Sequence, residues 1–178
     1  CGMAGYDLVG IGNALVDVLA PIEDVFLEVH SLEKGAMTLV DTERSSAIYL
    51  DMPSAQEVSG GSCGNTMAGF ASLGGKAAFI GKVRDDRFGK VFRNDLQALG
   101  VDFATMPACS GPATGSCLVL ITPDAQRTMC TNLGAASNLT PEDIGKGVIQ
   151  SAKVVYMEGY LFDPPAAQAA FAQAAQRG

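Results

Sequence analysis

The sequence has no tryptophan, a single histidine (His30), and no apolar run long enough to span a bilayer. One histidine and five scattered cysteines with no C-x-x-C pair exclude the familiar zinc constellations, so no metal centre is expected. Basic residues are also scarce, 12 against 19 acidic ones, for a net charge of −7. Binding nucleic-acid phosphates needs clustered Lys and Arg, so neither a nucleic acid nor a membrane is an expected partner. An acidic, solvated surface accounts for the charge. Residues 1–20 contain Asp7 and Asp17 and lack a basic start before an apolar run, so no secretory signal is expected. Cys1, Cys63, Cys109, Cys117 and Cys130, read as free thiols, predict a cytoplasmic location.

What remains is a globular composition, 48% hydrophobic and 17% charged over 178 residues, enough for one domain with a real core. Glycine is the abundant residue, 21 in all, crowded at 59–75 and recurring around 81–89 and 111–115. Glycines at such density suit tight turns and close backbone approach to a ligand.

Apolar runs and turn signals predict strands at 6–12, 15–22, 36–40 and 76–83. A hairpin is predicted at 116–122 and 127–132, and a buried strand at 153–160. Helices are predicted over 42–50 with Thr42 as cap, over 65–73 with Gly74 and Gly75 closing it, and over 88–99. The last of these shows Phe88, Val91, Phe92, Leu96 and Leu99 on one side. Residues 101–109 read as an extended edge, Thr140 and Pro141 as a capped helix start, and Pro164 onward as an alanine-rich helix reaching the last residue. Strands alternating with helices predict a layered α/β domain with a largely parallel sheet.

Residues 60–64, GGSCG, match G-x-S-x-G literally. A nucleophile elbow needs an apolar strand just before the serine and a histidine later in the chain. The preceding residues 53–58, PSAQEV, are mostly polar and no histidine follows, so Ser62 is not read as a nucleophile. Residues 69–76 miss the P-loop pattern because lysine falls one position late. Residues 10–15 miss the dinucleotide pattern because Leu15 stands where the third glycine belongs.

What the stretch does offer is a glycine turn opening a helix, whose first N–H groups lack partners, with Ser62 and Asn65 nearby. Such an end suits a polyhydroxyl ligand; a plain helix cap is the alternative. Asn13 and Asp17 follow the first strand, at the carboxyl edge where α/β ligands bind. A carboxylate accepting two hydroxyl hydrogens is a strong anchor. A turn asparagine and a solvated aspartate are the alternative here.

Six segments in order resemble the PfkB, or ribokinase-like, carbohydrate kinase family, which includes adenosine kinases. They are GIGNALVD (10–17), GGSCGNTMAGFASLG (60–74), AAFIGKVRDDRFG (77–89), LGVD (99–102), TGSCLVLITPDAQRT (114–128) and NLGAASNL (132–139). Gly60, Gly61, Asn65, Leu73 and Gly74 meet the family pattern around the glycine pair. Arg84 stands where the family usually has glycine, a departure that bears on the local turn.

The resemblance implies a three-layer α/β/α sandwich with a mostly parallel central sheet and a small β-sheet lid, drawn from about 14–22, 35–58 and 102–112. It implies ATP-dependent phosphorylation of a sugar or nucleoside hydroxyl, with the substrate between lid and sheet. Asn13, Asp17, Gly60, Gly61, Ser62 and Asn65 would hold the substrate. Glu158 matches a ribokinase sugar-binding glutamate, whereas Cys117 matches the adenosine-kinase pattern, so the two pull toward different substrates. Arg127 falls where members carry a basic residue near the transferred phosphate.

The family's glycine-alanine-glycine-aspartate motif, with its catalytic aspartate and anion hole, does not occur by residue 178. ATP and Mg2+ are therefore expected at residues outside this stretch, and the 178-residue chain alone is expected to be inactive. The alternative expectation is a non-catalytic sugar-binding or regulatory module. The lid edge is a candidate for pairing two copies.

Overall fold

The computed structural model describes residues 5–162 and 165–177. Its strands are β1 (Tyr6–Ile11), β2 (Leu15–Pro21), β3 (Met37–Leu39), β4 (Gln56–Gly60), β5 (Ala77–Ile80), β6 (Val101–Phe103), β7 (Thr114–Ile121), β8 (Arg127–Gly134) and β9 (Ala152–Met157). Its helices are α1 (Asp24–Val29), α2 (Thr42–Asp51), α3 (Ser62–Ser72), α4 (Arg87–Ala98), α5 (Lys146–Gln150) and α6 (Pro165–Arg177). No helix among the described residues is long and apolar enough to cross a membrane.

Two sheets organise the chain. The central one is wholly parallel, in the order β6-β5-β1-β9. Alternation along its strands feeds two separate cores. Ala77 and Phe79 of β5 join the core that includes Met67 of α3 and Phe92 and Leu96 of α4. Ala78 and Ile80, with Val9 and Ile11 of β1, join the opposite one with Ile149 of α5 and Ala167, Ala170 and Phe171 of α6. Period-two side chains buried on both faces are what a parallel sheet between helix layers requires. Phe79, Phe92 and Phe103 meet with ring centroids 5.3–5.7 Å apart. Each such pair adds about 0.5–1.5 kcal/mol beyond area burial.

The second sheet is mixed, in the order β3-β8-β7-β2-β4. Val16, Val18 and Ala20 of β2, Leu118 and Leu120 of β7 and Cys130 of β8 pack into the α3–α4 core. Asp17 lies on the other face of β2. This is the small second sheet of the expected fold class. The segments expected to form the lid at 14–22 and 35–58 supply β2, β3 and most of β4 to it. Residues 102 and 103 belong to β6, which pairs with β5 in the central sheet rather than with this one. The middle of the second sheet is the β7–β8 hairpin, which the sequence found but did not place there.

Other details shift as well. Asp41 caps α2, accepting from the Arg44 N–H at 2.8 Å; Thr42 is already the first helical residue. Helix α3 begins at Ser62, three residues earlier than its apolar spacing indicates. Thr140 and Pro141 open a single 3-10 turn with a capping box, not a full helix. Leu99 is the C-terminal cap of α4 and 49% exposed. Strand β9 is not buried: among the described residues it pairs only with β1, leaving Val154 57% and Tyr156 38% exposed. Pro164 and Gly178, expected in the last helix, and Cys1 lie outside the described residues. Ser31 and Ala125 are the only described non-glycine residues with positive φ, so Arg84 is accommodated without backbone strain. Asp86 accounts for the order of this turn: it caps α4 through the Gly89 N–H at 2.8 Å and accepts from Thr114 N–H and hydroxyl at 2.9 and 2.7 Å.

Candidate substrate site

The chain crosses between its sheets at two neighbouring places. Residues 12–14 carry it from β1 to β2, and Gly61 carries it from β4 back to α3. The two crossings touch: a Cβ on Gly61 would stand 2.7 Å from the Asn13 carbonyl oxygen. Gly61 itself has φ 81°, a region open chiefly to glycine. Gly60 pairs with Leu15 across β2 and β4, and a Cβ there would overlap the Asp17 carboxylate. The glycine pair thus lets α3 open against β1, at the carboxyl ends of β1 and β9, where parallel sheets present ligand sites.

Asn13 is 3% exposed, and its Oδ1 is buried without a hydrogen-bond partner. An unpaired buried acceptor costs about 1–3 kcal/mol, so its retention points to a donor that arrives from outside. Asp17 is half-buried; burial pushes its carboxyl pKa above the aspartate range, and the Arg127 charge pulls it partly back. Arg127, at the start of β8, is exposed.

Cys117 sits opposite Asp17 in the β2–β7 register and Thr131 opposite Cys117 in the hairpin. The Thr131 hydroxyl donates to Cys117 Sγ at 3.4 Å. Burial raises the thiol pKa to about 11, opposed by that hydrogen bond and reinforced by Asp17. Asn65 is exposed one turn into α3, its N–H held by the Gly61 carbonyl at 2.9 Å.

Glu158 follows β9 and is 2% exposed. Its Oε2 accepts from the Asn13 N–H at 2.7 Å, and its Oε1 from the Cys63 N–H at 3.0 Å and from the Ser62 hydroxyl. Three donors on its two oxygens satisfy the hydrogen-bonding capacity that burial would otherwise leave unmet. Ser62, expected to face a ligand, therefore donates its hydroxyl within the protein. Beneath it, burial and the nearby Glu158 charge push the Cys63 thiol pKa far above the usual value.

Asn13 and Gly61 thus form the two crossings, Ser62 and Glu158 bond across them, and Gly60 packs on Asp17, which pairs with Cys117 and feels the Arg127 charge. A 240 Å³ cleft lined by Tyr6, Phe79, Asp102, Met106, Asp143 and Val148 is a separate feature that shares none of them. The sequence reading did not find Thr131 or the contact between Asn13 and Gly61. Both depend on register between strands distant in sequence, which no local pattern in β8 signals.

A family model described as pfkB family carbohydrate kinase matches residues 36–178. The chain belongs to this family. Among curated relatives, the adenosine kinase of Saccharomyces cerevisiae is 32% identical over 163 residues, covering 86% of this chain and 47% of the relative. Among solved structures, an adenosine kinase from Sinorhizobium meliloti superposes with a TM-score of 0.90 at 48% identity, covering 98% of this chain and 53% of that one. A probable sugar kinase from Rhizobium etli gives 0.89 at 44% identity, covering 99% and 55%. The α/β/α sandwich with its β-sheet lid is the fold of these PfkB relatives. The chain spans about half the length of the curated relatives it matches.

Proposed function

We propose that this PfkB chain forms the substrate-holding half of an ATP-dependent kinase acting on a hydroxyl of a nucleoside of the adenosine class. The carrying observation is the buried, partnerless Oδ1 of Asn13, four positions before the half-buried carboxylate of Asp17. An unpaired amide oxygen and a carboxylate are acceptors that suit a polyol such as ribose, whose hydroxyls can donate to both. Gly60 and Gly61 allow the substrate to approach the main chain, and Asn65 adds an amide from α3. Cys117 and Thr131 form the lid surface beside Asp17, and Arg127 supplies a cation toward the transferred phosphoryl group. The relatives named as adenosine kinases favour a nucleoside over a simple sugar.

In the reaction the substrate hydroxyl oxygen bonds to the γ-phosphorus of ATP, the bond to the β-γ bridging oxygen breaks, and ADP and a proton leave. ATP supplies the phosphoryl group and Mg2+ screens its charge. Both cofactors, and the acceptor of the hydroxyl proton, are assigned to the half of the family domain that this chain does not span. The task of these residues is orientation, which alone contributes several kcal/mol to such transfers.

ADP release by the full-length protein, measured across adenosine, inosine, ribose and fructose, tests the reading. Turnover greatest with adenosine supports it, and turnover greatest with a free sugar moves the substrate class. Binding without turnover supports a non-catalytic module instead. Absence of both binding and turnover with all four sinks it.

A further inference from the structure

The resemblance assigns Glu158 to the substrate, but its surroundings give it different work. Its main-chain N–H donates to the Ile11 carbonyl at 2.9 Å, which fixes the residue at the end of β1. Its side chain then reaches both crossings between the sheets. Oε2 takes the Asn13 N–H, and Oε1 takes the Cys63 N–H together with the Ser62 hydroxyl. Residues 145 and 95 positions away in sequence are thereby held by one carboxylate. The acceptor left unpaired beside it belongs to Asn13, not to Glu158.

We infer that Glu158 is a positioning residue, a shared acceptor that clamps the opening turn of α3 to the crossing after β1 and so aims Asn13 Oδ1 and the Gly61 turn at the substrate. Its effect on catalysis passes through those groups, without contact to the substrate. The clamp stands on the hydrogen bonds alone; the substrate part rests on the kinase reading above. Charge and shape fit the role. Three donors converge on two oxygens, an arrangement that a glutamine would meet with a donor of its own.

The test is Glu158→Gln in the full-length protein, read three ways. Amide hydrogen exchange at Asn13 and Cys63 should speed up about tenfold or more as the clamp loosens. KM should rise about tenfold while kcat changes less, and by the same factor for adenosine and its 2′-deoxy and 3′-deoxy analogues. Equal factors mean the side chain contacts neither hydroxyl. An analogue whose KM is insensitive to the substitution would identify Glu158 as a direct ligand of the missing hydroxyl and overturn the inference. Unchanged exchange at both amides would overturn it too.

If the variant does not fold, the wild-type protein still decides. The Glu158 carboxyl carbon resonance should stay in place on saturation with adenosine if the clamp is internal, and a shift as large as that of Asp17 refutes it. If no nucleoside or sugar is turned over, the exchange experiment tests the clamp by itself. Failure of the kinase reading and failure of the clamp are then told apart.

Discussion

Gly60 is placed so that any side chain on it would overlap the carboxylate of Asp17. Strand β4 and the Asp17 side chain of β2 are packed directly against one another. Gly60→Ala must therefore displace either Asp17 or the edge of the lid. The expected result is a KM raised by about tenfold or more, with a lowered melting temperature. Gly69→Ala is the control: nothing lies within 4 Å of a Cβ there, within α3. That change should stabilise by roughly 0.5–1 kcal/mol in thermal unfolding and leave KM alone.

Asp17 makes stability depend on pH in an uncommon direction. Its folded-state pKa lies above its unfolded value because burial disfavours the charged form, with Arg127 opposing. The unfolded chain ionises first as pH rises, so the folded state carries a cost that begins above the ordinary aspartate range, near 4, and is complete above the raised folded pKa. Asp17→Asn should thus melt higher than wild type at pH 7, with the gain vanishing under acid, while substrate turnover is lost. A variant less stable than wild type at pH 7 contradicts this reading. Arg127→Ala should push the Asp17 titration further upward, measurable by carboxyl resonances.

Lys82 follows β5 and meets Asp143 of the 3-10 turn at 2.5 Å, with both side chains largely shielded. Asp143 also accepts from the Thr140 N–H at 3.0 Å and from its hydroxyl. Asp143→Ala leaves a shielded ammonium without its partner and removes the turn's cap, a loss of at most about 3–5 kcal/mol. Replacing both residues, Lys82→Met with Asp143→Leu, should cost less than the single change. Urea denaturation of the two variants checks the order.

Thiol chemistry should sort the cysteines by burial. Cys109 is exposed, whereas Cys63, Cys117 and Cys130 are buried, and burial raises all three of their thiol pKa values. Only thiolates react with disulfide reagents at useful rates. At pH 8, Cys109 should be labelled within minutes in the native protein and the buried three only on unfolding. Mass spectrometry of peptides identifies the site; early labelling of Cys117 would mean that the lid face opens.

Much of this was legible in the amino-acid order. Strands β1, β2 and β5 and the β7–β8 hairpin follow from apolar runs and the Pro123-Asp124 turn, because local periodicity and turn chemistry agree there. The grouping of Asn13 and Asp17 with the glycine pair was accessible through motif order. Other features depend on partners distant in sequence. Hydropathy marks Val154 and Tyr156 as apolar but cannot report which neighbour covers them, so β9 reads as buried although, among the described residues, only β1 pairs with it. The assignment of the hairpin to the lid is a matter of register, set by residues 15–21 pairing with 115–121. The clamp made by Glu158 draws on donors from positions 13, 62 and 63, which no local pattern links to it.

The open flank of β9 governs how the isolated polypeptide behaves in a tube. Among the described residues no strand pairs with its outer edge, and the exposed Val154 and Tyr156 make that edge a template onto which another molecule can add a strand. A net charge of −7 holds such encounters apart at low ionic strength. Screening shortens that repulsion to about 10 Å at 0.1 M salt. Light scattering should therefore rise as sodium chloride is added to a concentrated sample of this chain, so its colloidal life is an electrostatic one, longest in dilute buffer.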